Sequence, residues 1–111
     1  MRREYTSAEY RQIVASRIHE KEWMQQVIDL ARMLGYLVYH THNSIRSEKG
    51  YPDLMCIRPP RLIVVEVKTL KGRLTPEQKK WLEWFKACGV ETYVWRPNQL
   101  EEIIEILQRT A

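Results

Sequence analysis

Residues 50–68, Gly50-Tyr51-Pro52-Asp53-Leu54-Met55-Cys56-Ile57-Arg58-Pro59-Pro60-Arg61-Leu62-Ile63-Val64-Val65-Glu66-Val67-Lys68, read as two extended runs joined at a proline pair. With Pro59-Pro60 at the tip of a hairpin, Ile57 faces Leu62 and the register continues until Asp53 lies opposite Glu66. Directly opposed residues of an antiparallel ladder have Cβ atoms about 4.5–5.5 Å apart, close enough for two carboxylates to grip one cation. Strand side chains repeat with period two, so Lys68 points to the same face as Glu66. Two acids and a lysine brought together in this way make a minimal metal-dependent phosphodiesterase site.

The rest of the chain supplies a frame for that hairpin. Its second strand, Leu62–Lys68, is apolar on both faces: Leu62 and Val64 on one, Ile63, Val65 and Val67 on the other. That pattern predicts a sheet covered on both sides by helices. Upstream, Trp23, Val27, Leu30, Ala31 and Leu34 recur at three- and four-residue steps, predicting a helix from about His19 to Leu34 that Gly35 stops. Tyr36–His40 follows as a strand, and a polar loop over 41–50 leads into the hairpin. After a turn at Lys71-Gly72-Arg73, Thr75-Pro76-Glu77-Gln78 opens a second long helix, with Thr75 as N-cap, Pro76 at its first position and Gln78 completing a capping box. Trp81, Trp84, Phe85 and Cys88 are its expected buried face, and Gly89 its end. Glu91–Trp95 reads as a fourth strand. Asn98 is expected to cap a last helix buried through Leu100, Ile103, Ile104 and Leu107. A short helix around Ala8–Ala15, capped by Ser7, occupies a basic N-terminal extension of residues 1–18, and residues 19–111 form the main domain. A helix between the third and fourth strands permits a parallel crossover. The fold class is α/β, with a mixed four-stranded sheet flanked by helices in the order αβββαβα.

Composition narrows the function classes. The 111 residues suit one core; 44% hydrophobic and 29% charged residues describe a globular chain. The longest apolar run, Leu62–Val65, is far below the roughly 18 residues of a membrane span, and no apolar stretch follows Arg2-Arg3 as a secretory leader would require. The two cysteines, Cys56 and Cys88, fall within apolar patterns and read as small buried hydrophobes of a reducing compartment rather than a disulfide. A formal charge of +4 and a pI near 9.2 favour a polyanionic partner only mildly. His40, His42 and Cys56 lack the spacing and the fourth ligand of a zinc set.

In this order the chain resembles the PD-(D/E)XK nuclease superfamily and, within it, the VRR-NUC (virus-type replication-repair nuclease) family. Five parts carry the resemblance: Glu20 opening the first long helix, Gly50-Tyr51-Pro52-Asp53-Leu54, Glu66-Val67-Lys68, Gln78 after Thr-Pro-Glu, and Val94-Trp95-Arg96-Pro97. Trp23 departs mildly from the family, which usually has phenylalanine there. The resemblance implies a restriction-endonuclease-like core and Glu20, Asp53, Glu66, Lys68 and Gln78 as catalytic residues. It also implies Mg²⁺ or Mn²⁺ on Asp53, Glu66 and the Val67 carbonyl, with Glu20 acting directly or through water. Oxygen-only ligands suit those ions. Glu20 shares the helical face of Trp23, Val27 and Leu34, whereas Glu22 lies beside Gln26 and Asp29. Lys68 would orient the attacking water or stabilise the pentacovalent arrangement. For Gln78, the capping box and a site role both stand.

Loop residues His42, Asn43, Ser44, Arg46 and Lys49, with Lys71 and Arg73, are candidates for contact with the nucleic-acid backbone, by shape rather than base identity. The function implied is a divalent-metal-dependent, structure-selective DNA endonuclease resembling Holliday-junction resolvases. It would act as a homodimer on branched DNA in the cytoplasm of a bacterial or phage-infected cell, with no membrane and no small-molecule cofactor. Two other readings keep the fold: a catalytically silent nucleic-acid-binding module, whose mark would be a missing acid or lysine, and a nuclease of flap or linear DNA, or of RNA.

Overall fold

The structure, a computed structural model, describes residues 4–41 and 48–110. The first long helix, α2 (Glu20–Met33), follows a shorter α1 (Ser7–Arg17). At the C-terminal end of α2, Gly35 adopts φ +91° and donates to the Arg32 carbonyl, while Tyr36 donates back to Ala31. This paired closure needs a left-handed residue, which glycine supplies without a Cβ clash. Thr6, not Ser7, caps α1: its hydroxyl accepts from the Glu9 N–H at 3.1 Å and Glu9 returns the bond. A Glu three residues on completes a capping box only from Thr6.

Strands β1 (Leu37–His40), β2 (Leu54–Arg58), β3 (Arg61–Val67) and β4 (Glu91–Trp95) form one sheet in the order β1-β2-β3-β4. The first two pairings are antiparallel and β3 runs parallel to β4. Arg58 faces Arg61 across Pro59-Pro60, and Leu54 faces Val65, so the expected hairpin register holds. Helix α3 (Pro76–Ala87) makes the crossover and α4 (Leu100–Gln108) closes the chain.

One face of the sheet carries the main core. Leu54, Cys56, Ile63, Val65, Val67 and Trp95 meet Trp23, Val27, Ile28 and Ala31 of α2 and Ile103, Ile106 and Leu107 of α4. The other face is covered only in part. Helix α3 rests on β3 and β4, so Val64 and Leu82 are buried while Leu37, Tyr39, Ile57 and Leu62 stay exposed.

Three expectations about buried faces need correction. In α3 only Leu82 is buried; Trp81 and Phe85 are half-buried against Tyr51, at centroid distances of 4.9 and 6.1 Å, and Trp84 is 68% exposed. The apolar stripe of α3 is wider than the strip of sheet beneath it. Cys88 is likewise exposed, whereas Cys56 is buried and its thiol is pushed up to about 12 by desolvation. In α4, Pro97–Gln99 form a 3-10 turn ahead of the helix and Gln99 takes the cap position that Asn98 was expected to fill. The Gln99 side chain accepts the Arg96 N–H at 2.8 Å, and Ile106 replaces Leu100 on the buried face.

Among the described residues, no helix is long and apolar enough to cross a membrane.

Candidate active site

Asp53 sits on the last residue before β2. Its carbonyl accepts the Thr41 N–H at 2.8 Å, and the Thr41 hydroxyl donates to the Pro52 carbonyl at 2.8 Å, so the ladder of β1 and β2 continues one step past the assigned strands. Across the hairpin, Asp53 Oδ2 accepts the Val67 N–H at 2.8 Å. That bond places the carboxylate beside Glu66, the residue the register sets opposite. Gly50, at φ +86°, lets the approach to Asp53 lie against the start of α3. A Cβ there would come within 2.6 Å of the Glu77 carbonyl carbon and 2.8 Å of the Gln78 nitrogen. The sequence marked Gly50 only as part of a motif; the close passage gives its physical reason.

Glu66 is 1% exposed and its Oε2 has no hydrogen-bond donor. Desolvation, followed by the hydrogen-bonding contact and charge of Asp53, pushes its carboxyl up to about 9; Glu20 adds to the rise and Lys68 opposes it. Two carboxylates cannot donate to each other, so without a cation the pair accommodates a proton. An unpartnered buried oxygen next to a second carboxylate is the donor set that a hard divalent ion satisfies. Mg²⁺ is commonly held by one or two carboxylates with water and substrate oxygens completing its shell, so the residues fit the expected ion.

Lys68 follows β3, and its N–H donates to the Trp95 carbonyl at 3.1 Å. The same carbonyl accepts the Trp23 indole N–H at 3.0 Å, which ties the first turn of α2 to the end of β4. Glu20 opens α2 and is exposed; its charge acts on Glu66. Among the described residues, no group of three or more His, Cys, Asp or Glu side chains converges to hold a metal, so Glu20 does not join the pair as a third direct ligand in this arrangement. Gln78 completes the capping box: Oε1 accepts the Thr75 N–H at 2.9 Å and its own N–H donates to Thr75 Oγ1 at 3.1 Å. Lys71 and Arg73 are exposed on the turn after Lys68; exposed Lys49 pairs with Glu77 at 3.5 Å. His42, Asn43, Ser44 and Arg46 lie outside the described residues.

The VRR-NUC domain pattern matches residues 3–99, most of the chain. The chain belongs to the VRR-NUC family. A solved structure named as a VRR_NUC domain superposes with a TM-score of 0.66 at 28% identity, covering 78% of this chain and 94% of that one. No curated protein matches. VRR-NUC membership implies a nuclease-type function on DNA.

Proposed function

We propose that this VRR-NUC chain is a Mg²⁺- or Mn²⁺-dependent, structure-selective DNA endonuclease. It acts as a homodimer on branched DNA of the Holliday-junction kind, where two nicks are needed and each domain carries one site. The observation that supports this most is the buried Glu66 oxygen left without a donor beside Asp53, with Lys68 adjacent.

A divalent ion on Asp53, Glu66 and the Val67 carbonyl would acidify a water and offset charge growing on the phosphate oxygens. The protein's part is to hold those ligands in place. Val67 N–H keeps Asp53 turned toward Glu66, and the buried wall around Glu66 strengthens every electrostatic interaction there. Lys68 presents its ammonium to the attacking water or to the phosphate in its pentacovalent arrangement. Glu20 contributes through water, and Gln78 shares its side chain between the cap of α3 and the site. Lys49, Lys71 and Arg73 contact the DNA backbone, which carries shape rather than sequence.

Purified protein incubated with labelled four-way junction, flap, linear duplex and single strands, with and without Mg²⁺ or Mn²⁺, tests the proposal. Metal-dependent nicking of the junction is expected, abolished by Asp53→Ala and slowed to a measurable residual rate by Lys68→Ala. Binding without cleavage under every metal condition would instead identify a silent binding module, and preferential cutting of flap or linear DNA would move the substrate.

A further inference from the structure

In the motif Val94-Trp95-Arg96-Pro97, Val94 and Trp95 are the ladder partners of Glu66 and Val67, and Arg96 reaches the segment after Lys68. Arg96 Nη1 donates to the carbonyls of Thr69 and Gly72, at 2.6 Å each, and lies 3.4 Å from that of Leu70. The Gly72 N–H closes the same turn onto Thr69, at 3.3 Å to its carbonyl and 3.2 Å to its hydroxyl. Gly72 in turn underlies the lysine. A Cβ built on it would stand 3.4 Å from Lys68 Cδ and 3.1 Å from Thr69 Oγ1. The backbone of Lys68 is held by the Trp95 carbonyl. Both the main chain and the stem of Lys68 therefore rest on groups fixed by the exit of β4.

A lysine stem is flexible, and holding it in one geometry costs rotamer entropy. An arginine suits the task of steadying its support, since it stays charged and donates along fixed directions to several carbonyls. We infer that Arg96 is a positioning residue: it fastens the Thr69–Gly72 turn on which the Lys68 stem lies, and thereby aims the ammonium at the Asp53–Glu66 pair. The inference rests on the proposed nuclease function for its kinetic consequence, but its geometry stands apart from it.

The test compares Arg96→Ala, Arg96→Lys and Gly72→Ala in single-turnover cleavage at saturating DNA and metal, alongside DNA binding without metal and thermal melting. Gly72 has an ordinary backbone conformation; its alanine variant keeps every Arg96 bond and presses only on Thr69 and the Lys68 stem. Misplacing a reacting group by an ångström costs about 100-fold. A rate loss of that order is expected for Arg96→Ala, with binding unchanged and partial recovery in Arg96→Lys. Gly72→Ala should slow cleavage without lowering the melting temperature. Combined with Lys68→Ala, Arg96→Ala should add no further loss, because both act through one ammonium. Wild-type rates in Arg96→Ala, or a defect that multiplies that of Lys68→Ala, would overturn the inference.

The Lys68 Nζ resonance, assigned with Lys68→Arg and followed by NMR, is the second readout and needs no cleavage. It should stand apart from those of the solvated lysines in the wild type and merge with them in Arg96→Ala; an unmoved resonance would also refute the positioning role. If the wild type cuts no DNA, the nuclease proposal fails while this measurement still judges Arg96.

Discussion

Glu66 is the residue whose ionisation is set most strongly by the fold. Its carboxyl moves from an ordinary 4.5 to about 9, through burial first and Asp53 second. Between those values the folded chain holds a proton that the unfolded chain has released. In the metal-free protein the Glu66 contribution to stability is therefore fully present below about pH 4.5, falls as pH rises, and levels off above about pH 9. Urea titrations across that range should show a decline of at most about 4 kcal/mol between roughly pH 5 and 8, largely removed in Glu66→Gln. A flat profile in the wild type would contradict the buried acid pair. Divalent-ion binding should run the other way, tightening as pH rises, because the cation replaces the proton. Calorimetry at several pH values would check this sign.

At the scale of elements, two junctions join the site to its frame. Trp23 binds the Trp95 carbonyl across α2 and β4, a bond that a phenylalanine cannot make. Trp23→Phe keeps the ring in the core but loses the donor, so a cost of about 1 kcal/mol is expected in chemical denaturation. The capping box of α3 separates the two roles of Gln78. Thr75→Ala should cost about 1 kcal/mol of stability. Gln78→Glu retains a box-forming side chain, so its melting temperature should stay near the wild type. Loss of cleavage in that variant would assign Gln78 to the chemistry, and unchanged cleavage would leave it to the cap alone. Trp23, Val27 and Ala31 were legible in the sequence because they repeat with the helix and do pack inward. The face of α3 was misread because periodicity reports which residues are apolar. It does not report how much sheet lies beneath them.

On the molecular scale, the end of the sheet remote from the site is closed by Arg61. Its guanidinium meets Glu91 at 2.9 and 2.7 Å and also donates to Tyr36 Oη and the carbonyls of Ile106 and Arg109. Glu91 is correspondingly held below the usual carboxylate range, chiefly by that hydrogen bond. Arg61→Ala should cost about 1–3 kcal/mol, as expected when buried acceptors lose their donor, with the loss read by thermal or urea unfolding. The open face beyond α3, with Leu37, Tyr39, Ile57 and Leu62 exposed, belongs to the same level. Light scattering of the purified protein should report a dimer if the homodimer proposal holds, and a monomer at working concentration would weaken it.

The hairpin register was determined by sequence alone, since a proline pair fixes the tip and strand alternation then sets Asp53 across from Glu66. The strand and helix order followed from periodicity, glycine stops and the Thr75–Gln78 cap, all of which act within a few residues. Tertiary structure decided what those local rules do not reach. Burial of the Glu66 oxygen, the convergence of Trp23 and Lys68 on one carbonyl, and the grip of Arg96 on the turn under Lys68 each join segments distant in sequence. So does the partial cover of the sheet by α3. Local stereochemistry is written along the chain, whereas desolvation and shared hydrogen-bond acceptors arise only when separate elements pack.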